Sequence, residues 1–178
     1  RADMTIQIER IASTRLSHFP RPLRLSYAGP ILRTSSSNLH PERQFYQVGA
    51  ELIGSESPNS DTEIILMAAH GLLELGLNEI SVDLGLPSLI TSLLDEYNIE
   101  KPEIRNIIRT ACYQKDETML SSLQLPELGQ FINLMRCVGT ADKTIKKLRA
   151  LDLPKKANEE LDYLTEVLNL MKSHGPKL

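Results

Sequence analysis

The sequence has few of the residues that mark specialised classes of protein. Its 178 residues include two cysteines, no tryptophan, three phenylalanines and five tyrosines. Cys112 and Cys137 cannot build a disulfide framework, and neither lies in a CxxC pair or near histidines at zinc-ligand spacing. No apolar run approaches the ~18 residues of a membrane-spanning helix. We therefore predict a cytoplasmic protein with no metal site and no cofactor.

The sequence also has no large excess of positive or negative charge and none of the common catalytic motifs. The 20 basic and 23 acidic side chains give a net charge of -3, which argues against a protein that grips nucleic acid mainly through charge. No Walker loop, GxGxxG, GxSxG or HExxH pattern occurs. The chain opens on Arg1 without an initiator methionine or a signal-peptide pattern, which indicates a piece of a longer protein.

The period of the apolar residues indicates mixed helices and strands before about residue 100. Apolar side chains recur at helical spacing over 4–16 and over 60–75, and they alternate as in half-buried strands over 23–32, 44–53 and 78–84. A long polar loop between the first two strands predicts an antiparallel pair. The spacing therefore predicts two helices and three strands in this part.

The remainder of the chain carries only helical spacing. Helices are predicted over the ranges 86–97, 102–113, 116–123, 126–137, 141–151 and 155–172. At the start of the helix predicted over 60–75, Ser60 and Glu63 have the spacing of a capping box. We predict an α+β fold with two domains, an α+β core over 1–97 and a mainly helical segment over 98–178.

Polar side chains recur on the first two predicted strands. Arg33 ends the first strand, and Arg43, Gln47 and Glu51 follow at every fourth residue in and around the second. The two-residue period of a strand puts Gln47, Glu51 and Phe45 on one face. Polar groups on a half-buried face are costly unless they meet a ligand or a partner charge. Three alternatives stay open at this point: a ligand site, a solvated sheet face lined by Gln47 and Glu51, and an ion pair of Arg33 with Glu51.

These segments resemble a known family. Residues 27–33, which read Tyr-Ala-Gly-Pro-Ile-Leu-Arg, and 43–54, which read Arg-Gln-Phe-Tyr-Gln-Val-Gly-Ala-Glu-Leu-Ile-Gly, resemble motif 2 of histidyl-tRNA synthetase, a class II aminoacyl-tRNA synthetase. The opening Arg-Ala-Asp-Met-Thr is similar to the Arg-Pro-Glu-Gly-Thr segment of the synthetase and closer still to its non-catalytic paralogues, the regulatory subunits of ATP phosphoribosyltransferase. The resemblance implies a class II synthetase-like antiparallel sheet with flanking helices, as a partial core.

Departures from the synthetase pattern favour the paralogue. The synthetase motif has an Arg-x-Glu pair for the α-phosphate and the adenine of ATP, whereas this chain has Arg33-Thr34-Ser35. Asp3 replaces a glutamate and Met4 replaces a glycine, so the floor of the pocket is expected to differ. Adenylation requires developing phosphate charge to be met by fixed donors. The resemblance therefore implies a chain that performs no chemistry itself.

The resemblance also implies a pocket and partners. Asp3, Gln47 and Glu51 would face an α-amino group, with Thr5 beside them, and Arg33 would face a carboxylate or phosphate. The implied role is to bind the short catalytic form of ATP phosphoribosyltransferase, a glycosyltransferase, in a self-associating hetero-oligomer. This enables the first step of histidine biosynthesis and its feedback inhibition by free histidine. The alternatives are a divergent histidyl-tRNA synthetase that adenylates histidine and an interaction module with no ligand.

The helical segment concentrates basic charge near its end, which would contact RNA in a synthetase. These side chains are Lys143, Lys146, Lys147, Arg149, Lys155 and Lys156. No aromatic side chain interleaves them for base stacking, and they flank apolar residues as the wet side of an amphipathic helix would. We therefore predict no nucleic-acid partner.

Overall fold

A computed structural model of the chain describes residues 3–34 and 42–175. Within these residues, the chain forms eight helices and two strands in two compact units, Arg1–Ile80 and Ser81–Leu178. The first unit mixes helices with strands and the second is helical, so the predicted α+β class is confirmed. The compact units divide between Ile80 and Ser81. The predicted division of this chain into domains over 1–97 and 98–178 stays a prediction.

The first unit is built around an antiparallel pair of strands. Its elements follow in the order α1 (Thr5–Ser13), β1 (Leu23–Leu32), β2 (Gln44–Ile53) and α2 (Pro58–Glu74). The two strands pair over all ten residues without a register slip, which confirms their predicted bounds and antiparallel direction. Odd-numbered residues of the two strands share the inner face of the sheet, because side chains alternate along a strand.

The N-cap of helix α2 lies three residues before the predicted cap. Ser57 is the N-cap, with extended backbone, and its hydroxyl accepts the amide of Ser60 at 3.2 Å, while Pro58 fills the first turn. Glu63 does not reach back to a cap, because its carboxylate forms a two-pronged ion pair with Arg24 of β1, at 2.5 and 2.8 Å. The prediction of a capping box at Ser60 and Glu63 was therefore wrong.

The predicted third strand over 78–84 is absent from the described residues. This segment has no regular structure, and β1 and β2 form a sheet of two strands. Val82 and Leu84 stay more than a third exposed, at 36% and 37%. Alternation of apolar and polar residues selects a face, but a strand also needs a neighbour for its amides and carbonyls. No described segment supplies one here.

The second unit is a cluster of six helices around one apolar core. The helices are α3 (Pro87–Glu96), α4 (Pro102–Gln114), α5 (Glu117–Ser121), α6 (Leu128–Met135), α7 (Ala141–Arg149) and α8 (Lys155–His174). Helices α3 and α7 both pack on α8, and α4, α5 and α6 pack on one another. Fully buried side chains at the centre are Leu93, Leu94, Ile108, Leu120, Phe131 and Leu161. All six predicted helices are present, with ends shifted by up to two residues.

No helix among the described residues is long and apolar enough to cross a membrane.

Candidate functional site

Four of the five predicted site residues lie together, Gln47 and Glu51 on the inner face of the sheet, Asp3 just before α1 and Thr5 at its first position. In the register of the strands, Gly29 lies opposite Gln47 and Leu25 lies opposite Glu51. The amide nitrogen of Met4 donates to the Gln47 side-chain oxygen at 3.2 Å, which ties the start of α1 to the middle of β2. This bond brings the residues before α1 over the polar positions of the second strand.

Asp3 is held by two donors. One of its carboxylate oxygens accepts the Thr5 amide at 3.0 Å and the Gln47 side-chain amide at 3.3 Å. These hydrogen bonds, the Thr5 amide first, favour the charged form and hold the pKa of Asp3 below its ordinary value. The side chain is exposed to solvent, so the carboxylate is ionised and accessible at neutral pH.

Tyr27 connects this group to Glu51. Its phenol lies 3.3 Å from the Thr5 hydroxyl and donates to a Glu51 carboxylate oxygen at 3.4 Å. Because the phenol has one proton and donates it to Glu51, the Thr5 hydroxyl is the donor in its own contact with Tyr27. A chain of hydrogen bonds therefore runs from Thr5 through Tyr27 to Glu51, beside the bonds that join Asp3 to Gln47.

Two glycines make room for this arrangement. A Cβ atom at Gly49 would lie 2.4 Å from the phenol end of Tyr27, so only glycine lets the ring cross β2 at that position. A Cβ atom at Gly29 would lie 3.3 Å from the sulfur of Met4, which is buried against the strand. Both glycines lie on the inner face of the sheet. Because neither has a side chain, the larger side chains of Tyr27 and Met4 can pack directly over the strands there.

Arg33 lies apart from the other four. Its amide donates to the carbonyl of Arg43 at 2.8 Å, and its guanidinium lies over the Phe45 ring, 4.6 Å from the ring centre. It is four residues from Gly29, the register partner of Gln47, or about 13 Å along the strand at ~3.3 Å per residue. Within the described residues Arg33 has no carboxylate partner, so the alternative of an Arg33–Glu51 pair is not formed.

One predicted departure cannot be placed in this geometry. Ser35, which stands where the synthetase pattern has its adenine-contacting glutamate, lies outside the described residues, as do Arg1 and Ala2 of the opening motif.

The arrangement suits a small cation. Asp3 and Glu51 contribute two carboxylates, and neither has an ion-pair partner in the described part of the chain. An ammonium group needs acceptors in several directions, and carboxylate and hydroxyl oxygens supply them. The described residues contain no cluster of His, Cys, Asp or Glu that could hold a metal ion, and Cys112 and Cys137 are free thiols.

Sequence reasoning overlooked Tyr27 as a site residue. The signal for it was present, because the two-residue period from Tyr27 to Gly29 puts it on the same inner face that carries Gln47 and Glu51. What the period cannot give is that the ring crosses to β2, because this depends on the absence of a side chain at Gly49 in the paired strand.

Comparisons with known proteins agree on one family. A family model described as histidyl-tRNA synthetase matches residues 1–178. Two relatives named ATP phosphoribosyltransferase regulatory subunit, from Rhodospirillum centenum and Paramagnetospirillum magneticum, are 39% and 42% identical over 100% of this chain. They are matched over 46% and 47% of their own lengths, so the chain spans about half of each relative.

A solved structure has the same fold. It is described as an ATP phosphoribosyltransferase regulatory subunit/histidyl-tRNA synthetase from Bacillus halodurans, and it matches with a TM-score of 0.84 and 27% sequence identity. The match covers 97% of this chain and 46% of that one. The class II synthetase-like fold expected from the motif 2 segments is thereby confirmed. Because that family model matches the chain over its whole length, this chain belongs to the histidyl-tRNA synthetase family.

Proposed function

We propose that the chain is part of a non-catalytic regulatory subunit of ATP phosphoribosyltransferase, required for the first step of histidine biosynthesis. Its partner is the short catalytic subunit, a glycosyltransferase, in a self-associating hetero-oligomer of the cytoplasm. The names of the relatives at 39% and 42% identity support this role. So does the loss of the glutamate of the synthetase Arg-x-Glu pair, which reads Arg33-Thr34-Ser35 here.

The ligand that we propose for the inner face of the sheet is free histidine. The observation that carries this proposal is the hydrogen-bonded group of Asp3, Thr5, Tyr27, Gln47 and Glu51. Its two carboxylates would meet the α-amino group. The role expected of Arg33 at the carboxylate stays a prediction, because its guanidinium lies over Phe45, apart from the other four predicted site residues. A regulatory effect also requires histidine to bind the active and inactive assemblies with different affinities.

Calorimetric titration of the full chain with histidine tests the pocket. We expect Glu51→Ala and Asp3→Ala each to weaken binding by about 1–3 kcal/mol, the scale of losing a charged hydrogen bond. Glu63→Ala is the matched control, because it removes the same charge from an ion pair with Arg24 outside the group. Unchanged affinity in both pocket variants would move the histidine site elsewhere, and no heat with the wild-type chain would favour a module without a ligand.

A second candidate function is adenylation of histidine. It is favoured by the description of the matching family and by Arg33, which keeps the position of the motif 2 arginine. Histidine-dependent exchange of pyrophosphate into ATP, measured on the full chain, separates the two functions. The regulatory function predicts no exchange above background and a catalytic subunit whose phosphoribosyl transfer depends on added chain. Robust exchange would establish the synthetase instead.

A further inference from the structure

The helical unit has an apolar cleft that the proposed function leaves unassigned. It lies between α3 and α4 and has a volume of about 380 Å³. Its walls are Pro87, Ile90 and Thr91 of α3 and Arg109, Cys112 and Tyr113 of α4. We call it the α3–α4 cleft. Both walls are anchored from behind, since Leu93 and Leu94 of α3 and Ile108 of α4 are fully buried in the core.

Among the residues that line the cleft, Arg109 is the one with a formal charge, and that charge is positive. No carboxylate is among the residues that line it. Burial raises the pKa of the Cys112 thiol to about 11, so the thiol is neutral at physiological pH and the floor stays uncharged. A ligand that fits must therefore be apolar where it meets Ile90 and Cys112 and negative where it meets Arg109.

The charge of Arg109 is not used within the described part of the helical unit. The other three arginines of this unit each bind a carboxylate, namely Arg105 with Asp95, Arg136 with Glu117 and Arg149 with Asp162. Arg109 has no such partner among the described residues. It is one helical turn from Tyr113, whose ring is 89% exposed. Arginine and tyrosine beside an apolar pocket are the side chains that most often dominate protein interfaces.

The openness of the cleft favours a protein over a small molecule. Sites for small molecules usually bury ~70–90% of the ligand. Tyr113 lines the cleft and is almost wholly in solvent, so a small ligand beside it would stay in contact with water. A segment of a partner protein needs no enclosure, because the rest of the partner covers the opening.

We propose that the α3–α4 cleft is a docking site for the catalytic subunit, through a segment with an apolar side chain followed by an aspartate or glutamate. The apolar side chain enters between Ile90 and Cys112, and the carboxylate pairs with Arg109. This inference rests on the proposed function, which supplies the partner; the structure supplies the position and the charge.

Titration of the full chain with purified catalytic subunit tests the proposal. We expect Arg109→Glu to weaken binding at least tenfold, the loss that marks an interface hot spot of about 1.4 kcal/mol. Tyr113→Ala should weaken it several-fold. Both side chains are exposed, so both variants should fold as the wild type does. Lys146→Glu is the matched control, since it makes the same charge reversal on α7, outside the cleft, and it should bind normally.

Alkylation of a thiol placed at the cleft gives an independent readout. In a Thr91→Cys, Cys137→Ser variant, bound catalytic subunit should slow the alkylation of residue 91, while the buried, neutral Cys112 stays unreactive in both states. Wild-type affinity in Arg109→Glu, an equal loss in Lys146→Glu, or an unprotected thiol at residue 91 in the complex would overturn the docking site while leaving the proposed function intact. A wild-type chain that does not bind the catalytic subunit at all would overturn the proposed function and the docking site together.

Discussion

At the scale of single residues, the inner face of the sheet depends on where side chains are missing. Tyr27 reaches both Thr5 and Glu51 because Gly49, its partner in the register, leaves the space above β2 empty. Met4 is buried over Gly29 in the same way. The hydrogen-bonded group of the site therefore depends on two glycines, because a side chain at either position would occupy the space that Tyr27 or Met4 fills.

The first prediction concerns Gly49. We expect Gly49→Ala to destabilise the chain by about 1–3 kcal/mol, because the new methyl group would overlap the Tyr27 ring and force it off its partners. The free energy of unfolding in urea measures this loss. In a Tyr27→Ala background the same substitution should cost much less.

A matched glycine supplies the control for this prediction. Gly71 lies inside α2, where an added Cβ atom meets nothing within 4 Å. Gly71→Ala should therefore stabilise the chain by about 0.5–1 kcal/mol through helix propensity. Equal stability changes in the two variants would contradict the steric role of Gly49.

A second residue-scale prediction concerns the ionisation of Asp3. Its hydrogen bonds with the Thr5 amide and Gln47 lower its pKa in the folded chain. A lowered pKa means that the stabilisation is present above the unfolded value of about 3.9 and is lost as the pH falls through the folded value. We expect Gln47→Ala to raise the pKa of Asp3 towards its ordinary value in an NMR titration of the carboxyl carbon. An unchanged pKa would show that the Gln47 contact contributes nothing to it.

At the scale of elements, two N-caps of α2 can be compared by mutation: Ser57, which the structure shows, and Ser60, which the sequence pattern predicted. Ser57→Ala removes the hydroxyl that accepts the Ser60 amide, and we expect it to cost about 0.5–2 kcal/mol of unfolding free energy. Glu63→Gln should cost less than Ser57→Ala, because the ion pair of Glu63 with Arg24 is exposed to solvent. The reverse order in thermal or chemical unfolding would restore the capping box at Ser60.

Elements were predictable where their pattern is local. The helices of the second unit and the strands β1 and β2 followed from apolar spacing and from proline and glycine at their ends. The segment 78–84 has the same alternation as β1, yet it forms no strand in the described chain. Local spacing sets which side of a strand is apolar, whereas pairing depends on a neighbour elsewhere in the chain.

At the scale of the whole molecule, the two units differ in how complete their cores are. The core cluster of the helical unit draws all of its buried members from residues 89–161. The first unit has a sheet of two strands in the described residues, and its outer face leaves Tyr46 and Val48 72% and 77% exposed. Two-stranded sheets are marginal on their own, because too little apolar surface is buried.

The last prediction follows from this difference. Residues 81–178 expressed alone should unfold cooperatively in urea, followed by circular dichroism at the helical signal. Residues 1–80 alone should show no cooperative transition. A non-cooperative helical fragment, or a cooperative fragment 1–80, would contradict the assignment of a self-sufficient core to the helical unit.

The sequence by itself determined the helices of the second unit, the strands β1 and β2, the shared face of Gln47 and Glu51, and the resemblance that pointed to the family, because each depends on residue types at fixed local spacing. Tertiary structure alone decided that Tyr27 joins Thr5 to Glu51, that Glu63 pairs with Arg24, and that Arg109 is left beside an apolar cleft. These contacts join residues far apart in the chain, and their partners are chosen by which side chains the packing brings within reach, which no local period encodes.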